Sequence, residues 1–320
     1  MSPPRRRAAG VALAVAAGAF AVAGLVRAFG DRGAADAVAA LAPDALGLPP
    51  AFAARLDSAG LDATPLDRRG DAFAIATAQS DAGAVLVQWI DLRGARLRQV
   101  VGAADTAGAP RGHFHPTAAS PAFALVPQSA VTADTSLWGA MNGAFFETPN
   151  RSPSALAFPL AAGGSVRTGG SSPYGPGRPR AERANWGAPL RALALGDSAV
   201  RVAEYDPATG APLGSPGAAD AVVSYAPEAH PTRARARFHV LGPVAADALG
   251  RGSAVVVVTS LGPARIGAVG GVAAALGVRP ETQVAVDGGA SVWVWSRRAG
   301  PLARPSGDQP LPHYLTVGPR

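Results

Sequence analysis

The sequence predicts an α+β fold: a central, mostly antiparallel or mixed sheet with flanking helices and a strand–helix–strand crossover near the C-terminus. Three observations carry that expectation. Residues 71–101 hold short apolar runs separated by tight turn signals, the pattern of an antiparallel meander. Ala254–Thr259 contains four consecutive valines, which suits a strand buried on both faces. Pro263–Leu276 then reads as a helix, with Pro near its start and Gly277 in the C-terminal capping position, before Gln283–Val286 resumes a buried strand.

Composition fits a globular core. The chain has 320 residues, of which 48% are apolar and 16% charged, so most of it can bury a core rather than stay disordered. The net charge is +7, but the cations are scattered arginines without lysine and without an aromatic-plus-basic stripe. Nucleic acid is therefore not the expected partner. There are no cysteines, which excludes disulfides, thiolate catalysis and Cys-zinc sites.

From the N-terminus, Arg5–Arg7 precede an apolar run from Ala8 to Val26. As a helix that run is roughly 28 Å long, close to the thickness of a bilayer core. Basic residues ahead of it predict an N-terminus held inside and a chain exported beyond it. Residues 1–30 are thus expected to be an uncleaved membrane anchor, or a signal peptide cleaved after Val26-Arg27-Ala28. Residues 31–70 read as a linker, and residues 71–320 as the functional domain. The expected location is the cell envelope: anchored in the inner membrane and facing outward, or secreted.

Within the domain, Phe73–Thr77, Ala84–Asp91 and Arg96–Val101 make up the meander. Ala122–Val126 and Leu137–Phe146 read as strands, and residues 147–188, rich in Gly, Pro, Ser and Arg, as long surface loops. Ala192–Leu195 and Ala199–Tyr205 form a hairpin around Gly196-Asp197. After the crossover, Val292–Trp295 and Tyr314–Val317 complete the strand set.

Two segments carry candidate chemistry. Met141-Asn142-Gly143-Ala144-Phe145-Phe146-Glu147 brings an amide to a Gly turn, followed by two aromatics and a carboxylate. Asn-Gly alone is a turn signal, but paired Phe145 and Phe146 beside an amide can wall a pocket and orient a sugar. Val286-Asp287-Gly288-Gly289-Ala290-Ser291 ends a buried strand on a carboxylate and two glycines, whose N–H groups can approach an anion. A tight hairpin turn is the structural alternative for that segment.

Together, an N-G-x-F-F segment in mid-chain and a D-G-G-x-S segment after a strand–helix crossover resemble the phosphodiester glycosidase family, over about residues 71–320. The family's arginine, a few residues before a Gly and a hydrophobic strand, is matched by Arg237 or Arg235 ahead of Gly242, at a spacing one residue longer. Glu147 stands where the family frequently has Asp, and Ala290 where it often has Gly. The resemblance implies cleavage of a sugar C1–O–phosphate bond, with a role in exopolysaccharide metabolism. It implies Asp287 and Glu147 as catalytic carboxylates, with Asp287 acting on the sugar side as base or electrostatic stabiliser. Asn142, Phe145, Phe146, Arg237, Gly288, Gly289 and Ser291 would then bind substrate, the arginine holding the phosphate in a bidentate grip.

Other chemistries are poorly supplied. His113-Phe114-His115 offers an imidazole pair, but no metal motif completes it. No cofactor is expected; calcium held by carboxylate and carbonyl oxygens stays open. There is no G-x-S-x-G elbow and no Walker phosphate loop. The expected partners are a sugar-phosphate or polysaccharide and, through the N-terminal segment, the membrane. The reading from another class is a non-catalytic domain that binds polysaccharide or organises its export. Convergence of Asn142, Arg237 and Asp287 on one place would separate the two.

Overall fold

In the computed structural model, the chain is described over residues 47–105, 122–146, 153–167, 189–206, 209–213, 219–229, 235–304 and 309–320. The N-terminal apolar run, His113, His115 and Glu147 lie outside these residues. Among the described residues no helix is long and apolar enough to cross a membrane.

The described residues begin with α1 (Pro50–Ser58) and an antiparallel run of β1 (Ala63–Arg69), β2 (Phe73–Ser80), β3 (Gly83–Asp91) and β4 (Ala95–Val101). Short elements follow: β5 (Ala104–Asp105), β6 (Ala122–Phe123), α2 (Gln128–Thr132), β7 (Gly139–Asn142), β8 (Leu160–Ala162) and β9 (Ser165–Arg167). Next come β10 (Leu190–Leu195), β11 (Val200–Tyr205), β12 (Asp220–Tyr225), β13 (His239–Pro243), β14 (Arg251–Gly252) and β15 (Ala254–Ser260). The chain ends with α3 (Ile266–Ala275), β16 (Val284–Val286), β17 (Val294–Ser296), β18 (Gly300–Ala303) and β19 (His313–Pro319).

Two sheets dominate. The larger runs β1-β2-β3-β15-β13-β16-β12-β10-β11-β14, with β8 and β9 attached at β12; the second runs β18-β17-β7-β19-β4. Residues 50–69, in the stretch expected to be a linker, instead supply α1 and the first strand of the large sheet.

Side-chain alternation explains the layering. On β15, Val255 and Val257 join the core between the two sheets, where they meet Trp293, Tyr314 and Leu315. Val256 and Val258 face the other way, into a core capped by Phe52 of α1, Val269 of α3 and Leu276 just after that helix. The four valines are therefore buried on both faces of one strand. Phe52 lies over Trp89 of β3 with ring centroids 5.9 Å apart, and Arg55 Nη1 donates to the Leu276 carbonyl at 3.2 Å, tying α1 to the end of α3.

This architecture corrects the expected α+β class. The protein is mostly β, with large antiparallel sheets and, among the described residues, three α-helices of 9, 5 and 10 residues. The physical reason lies in what covers the large sheet. One face is covered by a second β-sheet, so most of the apolar surface is buried strand against strand rather than under helices. The one long helical connection, α3, leads from β15 to β16 with β13 between them.

Candidate functional site

The site sits where the ends of both sheets meet. β13 is central in the large sheet, and its first residue, His239, is paired with Thr259 of β15 on one side and Val286 of β16 on the other. β7 belongs to the second sheet and ends on Asn142, opposite Tyr314. The residue after β16 is Asp287, whose backbone N–H donates to the Gly143 carbonyl at 2.7 Å. Two segments 145 residues apart in sequence are thereby clamped together.

A chain of hydrogen bonds runs through the layers. Asn142 Nδ2 donates to Asp287 Oδ2 at 3.2 Å and to the Asp287 carbonyl at 3.1 Å. Asn142 Oδ1 accepts from the Trp293 backbone N–H at 2.8 Å, which fixes the orientation of the amide. The same oxygen lies 2.7 Å from His239 Nε2, so that nitrogen carries the proton and donates. His239 Nδ1 is then the acceptor for the Thr259 hydroxyl at 2.8 Å. Thr259, His239, Asn142 and Asp287 are all buried.

Burial sets the charges. The Asp287 carboxyl is pushed up to about 8 by burial, against the opposing pull of hydrogen bonds from Asn142, the Gly288 N–H and Ser291. His239 is lowered to about 3, first by burial and then by the Arg237 charge, and stays neutral. A second buried imidazole, His313, is lowered to about 3 by burial alone. Its Nδ1 accepts from the Ala144 N–H at 2.8 Å, and its Nε2 faces Gln99 Oε1 at 3.1 Å.

Arg237 lies alongside. Its guanidinium donates to the carbonyls of Arg304 at 2.7 Å and Ala290 at 3.4 Å, and its own carbonyl accepts the Gly289 N–H at 2.7 Å. Burial holds the guanidinium below its usual value. Arg235 is exposed and reaches only the Pro263 carbonyl, so Arg237 flanks the D-G-G-x-S turn.

The structure thus brings Asn142, Asp287, Gly288, Gly289, Ser291 and Arg237 together; Glu147 lies outside the described residues. Two expected roles change. The Gly288 N–H donates to Asp287 Oδ1 at 2.9 Å and the Gly289 N–H to Arg237, so neither amide is left to seat a phosphate. Gly288 is required by space: a Cβ there would stand 2.5 Å from the Arg237 carbonyl oxygen. Phe145 and Phe146 do not form one wall. As strand-like neighbours they point to opposite layers, Phe146 into the core between the sheets and Phe145 against Phe158 and Tyr225 at 6.0 and 5.2 Å. Trp293 and Trp295 are both buried in the inter-sheet core.

Sequence reasoning missed His239, Thr259 and His313. The signal for His239 was present: an imidazole on an apolar strand, two residues after Arg237 and so on the same face. Among the described residues no group of three His, Asp or Glu side chains could hold a metal ion.

No protein-family model matches the chain, and no curated protein matches it. Solved structures do. A hypothetical protein of Synechocystis is 13% identical, with a TM-score of 0.43, over 81% of this chain and 64% of that one; the chain thus spans just under two thirds of that protein. The catalytic domain of zebrafish N-acetylglucosamine-1-phosphodiester alpha-N-acetylglucosaminidase, auto-inhibited by its pro-peptide, is 12% identical over 81% of this chain and 84% of that one, with a TM-score of 0.45. A Burkholderia pseudomallei protein predicted to be exported is 14% identical over 77% and 74%, with a TM-score of 0.40.

Proposed function

We propose that the chain is a hydrolase of the cell envelope that cleaves the bond between a sugar C1 and the phosphate oxygen of a sugar-1-phosphate diester. The observation that carries this reading is the bond between Asn142 and Asp287, which joins the two motifs of the family resemblance in one buried cluster beside Arg237.

The chemistry follows from the charges. At neutral pH the Asp287 carboxyl is mostly protonated, so it serves as an acid rather than as the base or electrostatic stabiliser that the resemblance implies. Water adds through oxygen to C1 and the C1–O bond breaks. The phosphate oxygen leaves with the bonding pair and takes a proton from Asp287, while the proton lost by water restores the carboxyl. Phosphate is already a good leaving group, so the acid has modest work to do. Arg237 supplies the fixed positive charge for the phosphate.

A specific observation favours the second reading, a non-catalytic polysaccharide-binding domain. Both oxygens of Asp287 and the whole amide of Asn142 are engaged by the protein's own groups. The two readings separate on release of free sugar from a panel of sugar-1-phosphate diesters by the full-length protein, with Asp287→Asn as control. Release by the wild type and not by a folded Asp287→Asn supports the hydrolase. No release by folded wild type across the panel supports the binding domain.

A further inference from the structure

At the opposite end of the second sheet from Asn142 there is a cavity of about 580 Å³. β4 pairs with β19 so that Arg98 stands beside Thr316 and Arg96 beside Gly318. Alternation puts Arg96, Arg98 and Val100 on one face of β4, and all three line the cavity. The facing wall is the segment from α2 to Leu137, including Val131, Ser136 and Leu137. Gly318 lets the two walls approach: a Cβ there would lie 3.3 Å from the Ser136 carbonyl oxygen.

The charges in this cavity are only partly balanced. Arg68, Arg93, Arg251 and Arg279 each hold a carboxylate, at 2.8, 2.5, 2.9 and 3.2 Å, and Arg191 holds Glu228. Among the described residues neither Arg96 nor Arg98 has such a partner, and the buried Nε of Arg96 makes no hydrogen bond. A shielded cationic donor without a partner is costly, and a bound anion removes the cost. The cavity's one side-chain carboxylate, Asp134, has Oδ1 occupied by the N–H and hydroxyl of Ser136 at 2.9 and 2.7 Å. It interacts electrostatically with Arg98 and Arg297, and with Arg320 the cavity is lined by three arginines, so one carboxylate offsets them only in part.

We infer that this cavity binds a phosphate group, free or carried by a saccharide, at a site separate from the Asn142–Asp287 cluster. Residues two apart on a strand lie about 7 Å apart, so the two forks can close on one anion from two sides. A phosphate carries more charge and more acceptor oxygens than a carboxylate, so it makes fuller use of two forks. The apolar wall of Val100, Val131 and Leu137 leaves room for the carrier of the phosphate. The size is that of a small-molecule site.

The test is calorimetric titration of the full-length protein with inorganic phosphate, glucose-1-phosphate and acetate. Phosphate and glucose-1-phosphate should bind and acetate should not. All titrations are repeated in the Arg237→Gln protein, which lacks the phosphate seat proposed beside Asp287. In that background Arg96→Gln or Arg98→Gln should weaken binding at least 10-fold, Arg98→Lys less, and both together should abolish it. Tighter binding of glucose-1-phosphate than of phosphate identifies a carried phosphate as the ligand; equal binding identifies the free ion. Arg98 is exposed and Arg96 half-buried, so the variants should fold, and thermal unfolding checks this: phosphate should raise the midpoint of Arg237→Gln and not that of the variant lacking all three arginines. Binding in the Arg237→Gln background that survives loss of both Arg96 and Arg98, or that acetate matches, would overturn the inference. None of these readouts depends on sugar release, so failure here is distinct from failure of the hydrolase reading.

Discussion

His239 Nε2 and Asn142 Oδ1 stand 2.7 Å apart, and this bond ties the large sheet to the second sheet at the point where Asp287 enters. β13 contributes the imidazole and β7 the amide, so the distance between layers fixes where the Asn142 amide meets the Asp287 carboxyl. His239 is therefore a positioning residue for the proposed acid: it touches Asn142, not the carboxyl itself.

His239→Ala should destabilise the protein by about 2–4 kcal/mol, because it leaves the Thr259 hydroxyl and the Asn142 oxygen short of a partner and opens a cavity. His239→Gln can donate to Asn142 and accept from Thr259, so it should recover a large part of that loss. Urea denaturation checks both. Equal losses for Ala and Gln would sink this hydrogen-bond account of His239.

Much of this site was legible in the sequence. Asn142, Asp287 and Arg237 were marked by their motifs, and the structure brings the three together. The alternation of β15 was plain because four valines in a row have no polar face. The layer opposite was not legible. Whether helices or strands cover a doubly buried strand is a long-range fact, and β17, β18 and β7 are only 3–4 residues long, too short to show a period. The paired phenylalanines misled for a related reason: two neighbouring aromatics on extended backbone must part to opposite faces.

Stability should peak at a pH near about 6.5, the window set by three buried groups. His239 and His313 are neutral when folded, lowered from 6.5 to about 3, so the unfolded chain binds more protons between those values and stability is lost as pH falls through them. Asp287 is raised from 3.8 to about 8, so its contribution is fully present below the lower value and lost as pH rises to the upper. Two histidines outweigh one carboxyl below about 6.5; above it Asp287 acts alone. Asp287→Asn should flatten the loss between pH 6.5 and 8. A wild-type decline in that range that persists in the variant would remove Asp287 from the explanation.

Arg237→Gln should raise KM for a sugar-1-phosphate diester by about 10–100-fold, the worth of a charge-assisted pair, with a smaller fall in kcat. Arg237→Lys keeps the charge and loses the fork, so it should fall between. Steady-state kinetics on the full-length protein decide it. A fall in kcat alone would place the arginine outside the phosphate seat.

Gly143 reads in sequence as the second half of an Asn-Gly turn, but it is not among the glycines with positive φ. What it supplies is space: a Cβ there would collide with the imidazole of His313. His313 is held in place by the Ala144 N–H on one side and Gln99 on the other, so it has little freedom to move aside. Gly143→Ala should therefore cost about 1–3 kcal/mol by overpacking. His313→Ala should be destabilising by itself, since the Ala144 N–H is left buried without an acceptor. The double variant tests the cause: removing the imidazole makes room for the new methyl, so its loss should be smaller than the sum of the two single losses. Additive losses would mean that Gly143 and His313 do not compete for this space.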